Sequence, residues 1–163
     1  MHGPPPSPLA TLEHCFRLLS RQPGALAIDG AAVHHGLPPR PIPLDELRGR
    51  LPQLTPHTRT TVMAVLLRRA RAGSPAWQVG LAGVLLPGLR CLASQHATTN
   101  PPAVAEAHTL TWFRAALATH GPASDQRIAW LLEATCAAQR SPGTATTASR
   151  RPHRAGTAPE RWA

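Results

Sequence analysis

Residues 77–95, WQVGLAGVLLPGLRCLASQ, are almost all apolar or small, with Pro87 near their centre. At 3.6 residues per turn, positions three, four and seven apart share a helix face. On that spacing Trp77, Leu81, Val84, Leu85, Leu89 and Leu92 form a bulky face, and Ala76, Gly80, Gly83, Pro87, Cys91 and Ser94 form a small one. The bulky face fills a core, and the small one lets a neighbouring backbone come close. The pattern predicts the central helix of an all-α bundle. Pro87 lacks an N–H, which deprives the Gly83 carbonyl of its partner. A proline inside a helix costs about 3 kcal/mol, so the backbone there is either a kink supported by packing or a break into two helices.

Further helices follow from capping signals and periodicity. Ser7-Pro8 opens a short amphipathic helix over 9–20, with Leu12, Phe16 and Leu19 on one face. Residues 22–43 are rich in Gly, Ala and Pro and are expected to be a linker, so that 1–43 is a flexible arm carrying a loosely docked satellite helix. The compact domain is expected over 44–140, with about five helices near 44–51, 58–72, 75–96, 101–119 and 124–140. Over 58–72 the inward residues are Val62, Met63, Leu66, Leu67 and Ala70. Over 101–119 there are two apolar faces, one with Val104, His108 and Trp112 and one with Leu110, Phe113 and Leu117, so this helix is expected to be sandwiched. The last helix turns Ile128, Leu131, Leu132, Thr135 and Cys136 inward and Trp130 outward, where another helix or the arm is expected to cover it. Residues 141–163, rich in Thr, Ala, Pro and Arg, are expected to be a disordered basic tail.

Charge bears on partners. All 17 cationic Lys+Arg positions are arginine, against eight acids, for a net charge of +9. Lysine and tyrosine are absent and Asn100 is the single asparagine, a pattern of GC-rich bacterial coding. Residues 44–90 hold seven arginines against Asp45 and Glu46. Arg59, Arg68, Arg69, Arg71 and Arg90 are the nucleic-acid-binding candidates, since a planar guanidinium pairs with phosphate oxygens. The alternative is a solvated helix face.

Other chemistries are poorly represented. Three distant cysteines, Cys15, Cys91 and Cys136, suit neither a disulfide framework nor a zinc site and fit a reducing cytoplasm. The nine histidines show no ligand spacing with Cys, Asp or Glu, so neither metal nor cofactor is expected. With no glycine elbow, phosphate loop or carboxylate pair, the chain is expected to be non-enzymatic. The N-terminus lacks a secretion pattern, and the apolar run from Ala76 to Leu89 is shorter than the ~20 residues of a membrane span.

One resemblance spans residues 44–140. PLDELRGRL, LLRRARAGSPAWQVGLAGVLLPGLRCLA, HTLTWFRAAL and RIAWLLEATCAAQR occur in an order similar to uncharacterised actinobacterial proteins, which in turn look like region two of bacterial sigma factors. The resemblance implies that AEAHTLTWFRAAL stands where sigma factors carry the helix that docks on core RNA polymerase. IAWLLEATCAAQR stands where they carry the helix leading to promoter melting. TTNPPAV replaces the sigma acidic cluster and leaves only Glu106, and His108 stands where a glutamate is usual. What is implied is a derived module acting in transcription or on DNA. Glu106, Trp112, Arg114 and Trp130 are the partner-binding candidates, with core RNA polymerase or another protein as the partner. The alternative is a protein-interaction module with no nucleic-acid role, presenting Trp130 and the helix over 101–119.

Overall fold

The computed structural model describes residues 7–21 and 23–140. The chain order is α1 (Pro8–Arg21), β1 (Ala27–Asp29), α2 (Gly30–Val33), β2 (Pro41–Pro43), α3 (Leu44–Arg50), α4 (Pro56–Arg71), α5 (Pro75–Val84), α6 (Leu86–His96), α7 (Pro102–Ala118) and α8 (Pro122–Arg140). A single 3-10 turn, Leu51–Gln53, follows α3. The fold is all-α apart from one two-stranded ribbon, with eight helices among the described residues rather than about five. The expected helix over 75–96 accounts for two of them, because α5 and α6 meet at Leu85 with a bend of 72°. Pro87 thus breaks the helix and does not merely kink it.

The groups orphaned at that break find partners on two other helices. Arg48 of α3 donates from Nη1 to the Gly83 carbonyl at 3.2 Å, supplying the donor that Pro87 lacks. Thr135 of α8 accepts at Oγ1 from the orphaned Gly88 N–H at 3.1 Å and adds a second donor, at 3.3 Å, to the Leu85 carbonyl, which already accepts from the Leu89 N–H. The bend is buried, with residues 80–86 all inside the core. No single helix among the described residues is long and apolar enough to cross a membrane.

Gly80 and Gly83 of the small-residue face, and Gly88 outside it, each receive a close neighbour. A Cβ at Gly83 would overlap the Phe16 ring of α1. At Gly80 it would stand 2.7 Å from Leu44 Cδ1, and at Gly88 2.5 Å from the Leu131 carbonyl oxygen of α8. The helix expected as a loose satellite is therefore seated on α5, with Leu9 and Phe16 buried in the common core. Arg48 stacks over the Phe16 ring, its Cζ 4.8 Å from the centroid. Glu13 of α1 bonds the Arg90 guanidinium of α6 and stands 4.0 Å from Arg48. Glu106 of α7 accepts from Ser7 Oγ and from the Leu9 N–H, capping the first turn of α1.

The expected linker is folded as well. Ile28 and Ile42 face each other across the antiparallel ribbon of β1 and β2, and both are fully buried. Asp29 caps α2 through Oδ1 to the Ala31 and Ala32 N–H groups. Gly30 leaves room for the Pro38 carbonyl, which a side chain there would strike. Segments 8–21 and 23–43 thus contribute to the same core as 44–140; the expected tail, 141–163, lies outside the described residues.

Elsewhere every residue expected inward in α4 and α8 is buried, and Thr58, Arg59 and Ser124, which were not expected inward, are buried as well. Helix α7 is not sandwiched. It buries Ala105, Thr109, Phe113, Ala116 and Leu117, while Val104 remains 40% exposed.

Gly83→Ala should destabilise the protein by about 1–3 kcal/mol through overpacking against Phe16, less a propensity gain of up to ~1 kcal/mol. Gly80→Ala should cost less, since only the flexible ends of Leu44 and Leu26 must move. Thermal melts of the two variants check the order. A second expectation concerns acid. The Arg90 hydrogen bond outweighs partial burial and, with the charges of Arg90 and Arg48, holds the Glu13 carboxyl below its ordinary range. Stability from this pair is then full above the unfolded pKa of about 4.3 and is lost as pH falls through the lower folded value. The difference in melting temperature between wild type and Glu13→Gln should be present at neutral pH and vanish in acid.

Candidate functional site

The five candidate arginines do not form one face. Arg59 of α4 is 7% exposed, with Nη2 3.9 Å from Glu133 of α8. Arg69 lies over the Trp77 ring, Cζ 4.6 Å from the centroid, and bonds the Ala27 carbonyl at 3.4 Å. Arg71 closes the corner between α7 and α8. Its Nε reaches the Leu117 carbonyl at 3.3 Å, and its Nη2 reaches the Thr119 carbonyl at 3.0 Å, Ser124 Oγ at 3.2 Å and Asp125 Oδ1 at 2.9 Å. Arg90 is held by Glu13 on another part of the surface. Arg68 is exposed, and its side chain makes no hydrogen bond or ion pair among the described residues. The periodicity placed Arg59, Arg68, Arg69 and Arg71 on α4 but could not show that neighbouring elements supply acceptors for three of them.

The partner candidates divide similarly. Glu106 is consumed in capping α1. Trp112 and Trp130 come together across the α7–α8 pair and, with Ala123, Gln126 and Arg127, line a groove of about 370 Å³. Trp130 is 44% exposed, because the N-terminal helix that was expected as a possible cover docks on α5 instead. Arg127 lies within 4.0 Å of no carboxylate among the described residues. Arg114 stands two residues from Trp112, about 200° around the helix, and lines other clefts.

One cluster escaped the sequence reading. His57, at the start of α4, approaches the stacked pair His34–His35, with ring centroids 5.5 Å from His34, against 4.2 Å within the pair. Desolvation, then the neighbouring His35 and His57, holds the His34 pKa below its ordinary value. His34 Nδ1 accepts from the Gly36 N–H at 2.9 Å, which occupies that nitrogen. Among the described residues no three His, Cys, Asp or Glu side chains are placed to hold a metal ion. The separation of His34 and His57 by a folded loop is what concealed the cluster.

No family model, curated protein or solved structure gives a significant match to the chain. The sigma-factor resemblance rests on the motifs of residues 44–140 alone.

Arg71→Gln should destabilise by about 2–3 kcal/mol, the scale of charged hydrogen bonds left unmade. Arg68→Gln should stay within about 0.5 kcal/mol. Urea titrations of the two variants measure both values; equal small losses would contradict the corner role of Arg71.

Proposed function

We propose that the protein is a non-enzymatic helical module that binds another protein through the α7–α8 groove. The observation that carries this reading is Trp130, 44% exposed beside Trp112 in a groove of about 370 Å³. Large aromatics with one open face are typical anchors of protein interfaces. Arg127 on the rim favours a partner helix whose apolar side chain is flanked by a carboxylate. A net charge of +9 would speed encounter with such an acidic partner. The sigma resemblance makes a subunit of RNA polymerase one partner to seek, and three free cysteines suit a reducing compartment.

A second reading, binding to DNA, is supported by the same net charge and by exposed Arg68. Released counterions make such binding fall steeply with salt. Arg68→Gln is the clean probe of phosphate contact, because Arg69 and Arg71 are structural and their loss would confuse weakened binding with weakened folding.

Trp130→Ala should leave the melting temperature nearly unchanged and weaken capture of the partner from a GC-rich bacterial lysate by about 10-fold or more, the loss of a ~2 kcal/mol anchor. The captured proteins should survive Arg68→Gln. Identical capture by wild type and Trp130→Ala would reject the groove, and nucleic acid captured in a salt-dependent, Arg68-dependent manner would favour the second reading.

A further inference from the structure

On the side of α7 away from the tryptophan groove, two clefts share a wall. The first, about 290 Å³, lies where α1, α5 and α7 meet, and Leu12, Val79, Ala82, Leu110 and Phe113 give it an apolar lining. The second, about 230 Å³, opens beside it and is lined by Arg71, Arg114 and His120. Gln78, Arg114 and Leu117 border both. Together the two lobes fall inside the ~300–1,000 Å³ range of small-molecule sites.

The electrostatics of the polar lobe are specific. Arg71 is already balanced by Asp125, and its bonds use Nε and Nη2, leaving Nη1 without a partner among the described residues. Arg114 has neither a hydrogen bond nor a carboxylate within 4.0 Å among the described residues. The lobe therefore carries one uncompensated guanidinium, with His120 beside it. Gln78 is held at the junction by donating from Nε2 to the Ala70 carbonyl at 3.4 Å. An apolar slot that ends at one unmatched positive charge is complementary to one kind of small molecule.

We infer that this bilobed cleft binds a medium-chain fatty carboxylate. The hydrocarbon tail lies between α1, α5 and α7, and the carboxylate is held by the Arg114 guanidinium with the free Nη1 of Arg71 within the same lobe. The tail contributes by removal of apolar surface from water, and the head by a charge-assisted pair that Arg geometry favours. Because α1 supplies Leu12, an occupied cleft would also tighten the docking of α1 on α5. This site is independent of the α7–α8 groove.

Calorimetric titration of the full chain with decanoate, decan-1-ol and acetate, each below self-association, tests the inference. Decanoate should bind saturably with one site, at least about 10-fold tighter than decan-1-ol, and acetate should not bind. Arg114→Gln should reduce decanoate to the affinity of decan-1-ol without lowering the melting temperature, since Arg114 makes no internal bond. Absent or unsaturable decanoate binding would overturn the site. Equal affinity for decanoate and decan-1-ol, or a carboxylate preference that survives Arg114→Gln, would overturn the role of the guanidinium. Acetate binding as tightly as decanoate would overturn the role of the apolar lobe.

Discussion

The hydrogen bond from Arg48 to the Gly83 carbonyl is the contact on which the rest of the architecture depends. A chain cannot place a proline in a buried helix without orphaning a carbonyl four residues earlier, and a buried orphan is costly. Here α3 supplies the donor, and α8 supplies Thr135 as acceptor for the free Gly88 N–H of the same turn. The 72° bend that results lets α5 face α1 and α4, while α6 faces α7 and α8. Two helix pairs are thus joined through one hinge to which side chains of α3 and α8 bond. Arg48 also covers Phe16, so the residue that completes the break also clamps the helix lying on it.

That solution draws on the chain's supply of arginine. Arg48, Arg59, Arg69, Arg71 and Arg90 each connect elements distant in sequence, through carbonyls, carboxylates or aromatic faces. Arginine suits this use because its planar group offers five donors and remains charged when partly buried. A high net charge in such a protein is consequently a poor guide to a nucleic-acid surface. Of the side chains without an ion pair or hydrogen bond among the described residues, Arg68, Arg114 and Arg127 lie on three different parts of the surface and invite three different partners.

Much of the fold was legible. The inward residues of α4 and α8 follow from periodicity because each helix packs with one face, the condition under which a 3.6-residue repeat is informative. The small-residue face of 76–94 announced a close neighbour, though not that this neighbour would be α1. What could not be read was the segment 22–43. Its pairing depends on two isolated isoleucines, Ile28 between Ala27 and Asp29 and Ile42 between prolines, too short a pattern to show alternation. Pro41 and Pro43 suggested a linker, yet both occupy ends of a three-residue strand, where a missing N–H is tolerated. Of the candidate sites, only the outward phase of Trp130 followed from helix spacing, whereas its meeting with Trp112, the arginines' roles and the α1–α5–α7 cleft depend on tertiary neighbours that spacing alone does not specify.

The most direct measurement is the unfolding free energy of Arg48→Met beside that of Arg50→Met. Arg50 pairs with Glu46 on the surface, where such bridges contribute about 0–1 kcal/mol. Arg48→Met keeps an apolar stem but leaves the Gly83 carbonyl without its side-chain donor. If the break at Pro87 depends on Arg48, urea titration will show a loss of about 2–3 kcal/mol for Arg48→Met and under about 1 kcal/mol for Arg50→Met. Equal, small losses for the two variants would contradict it.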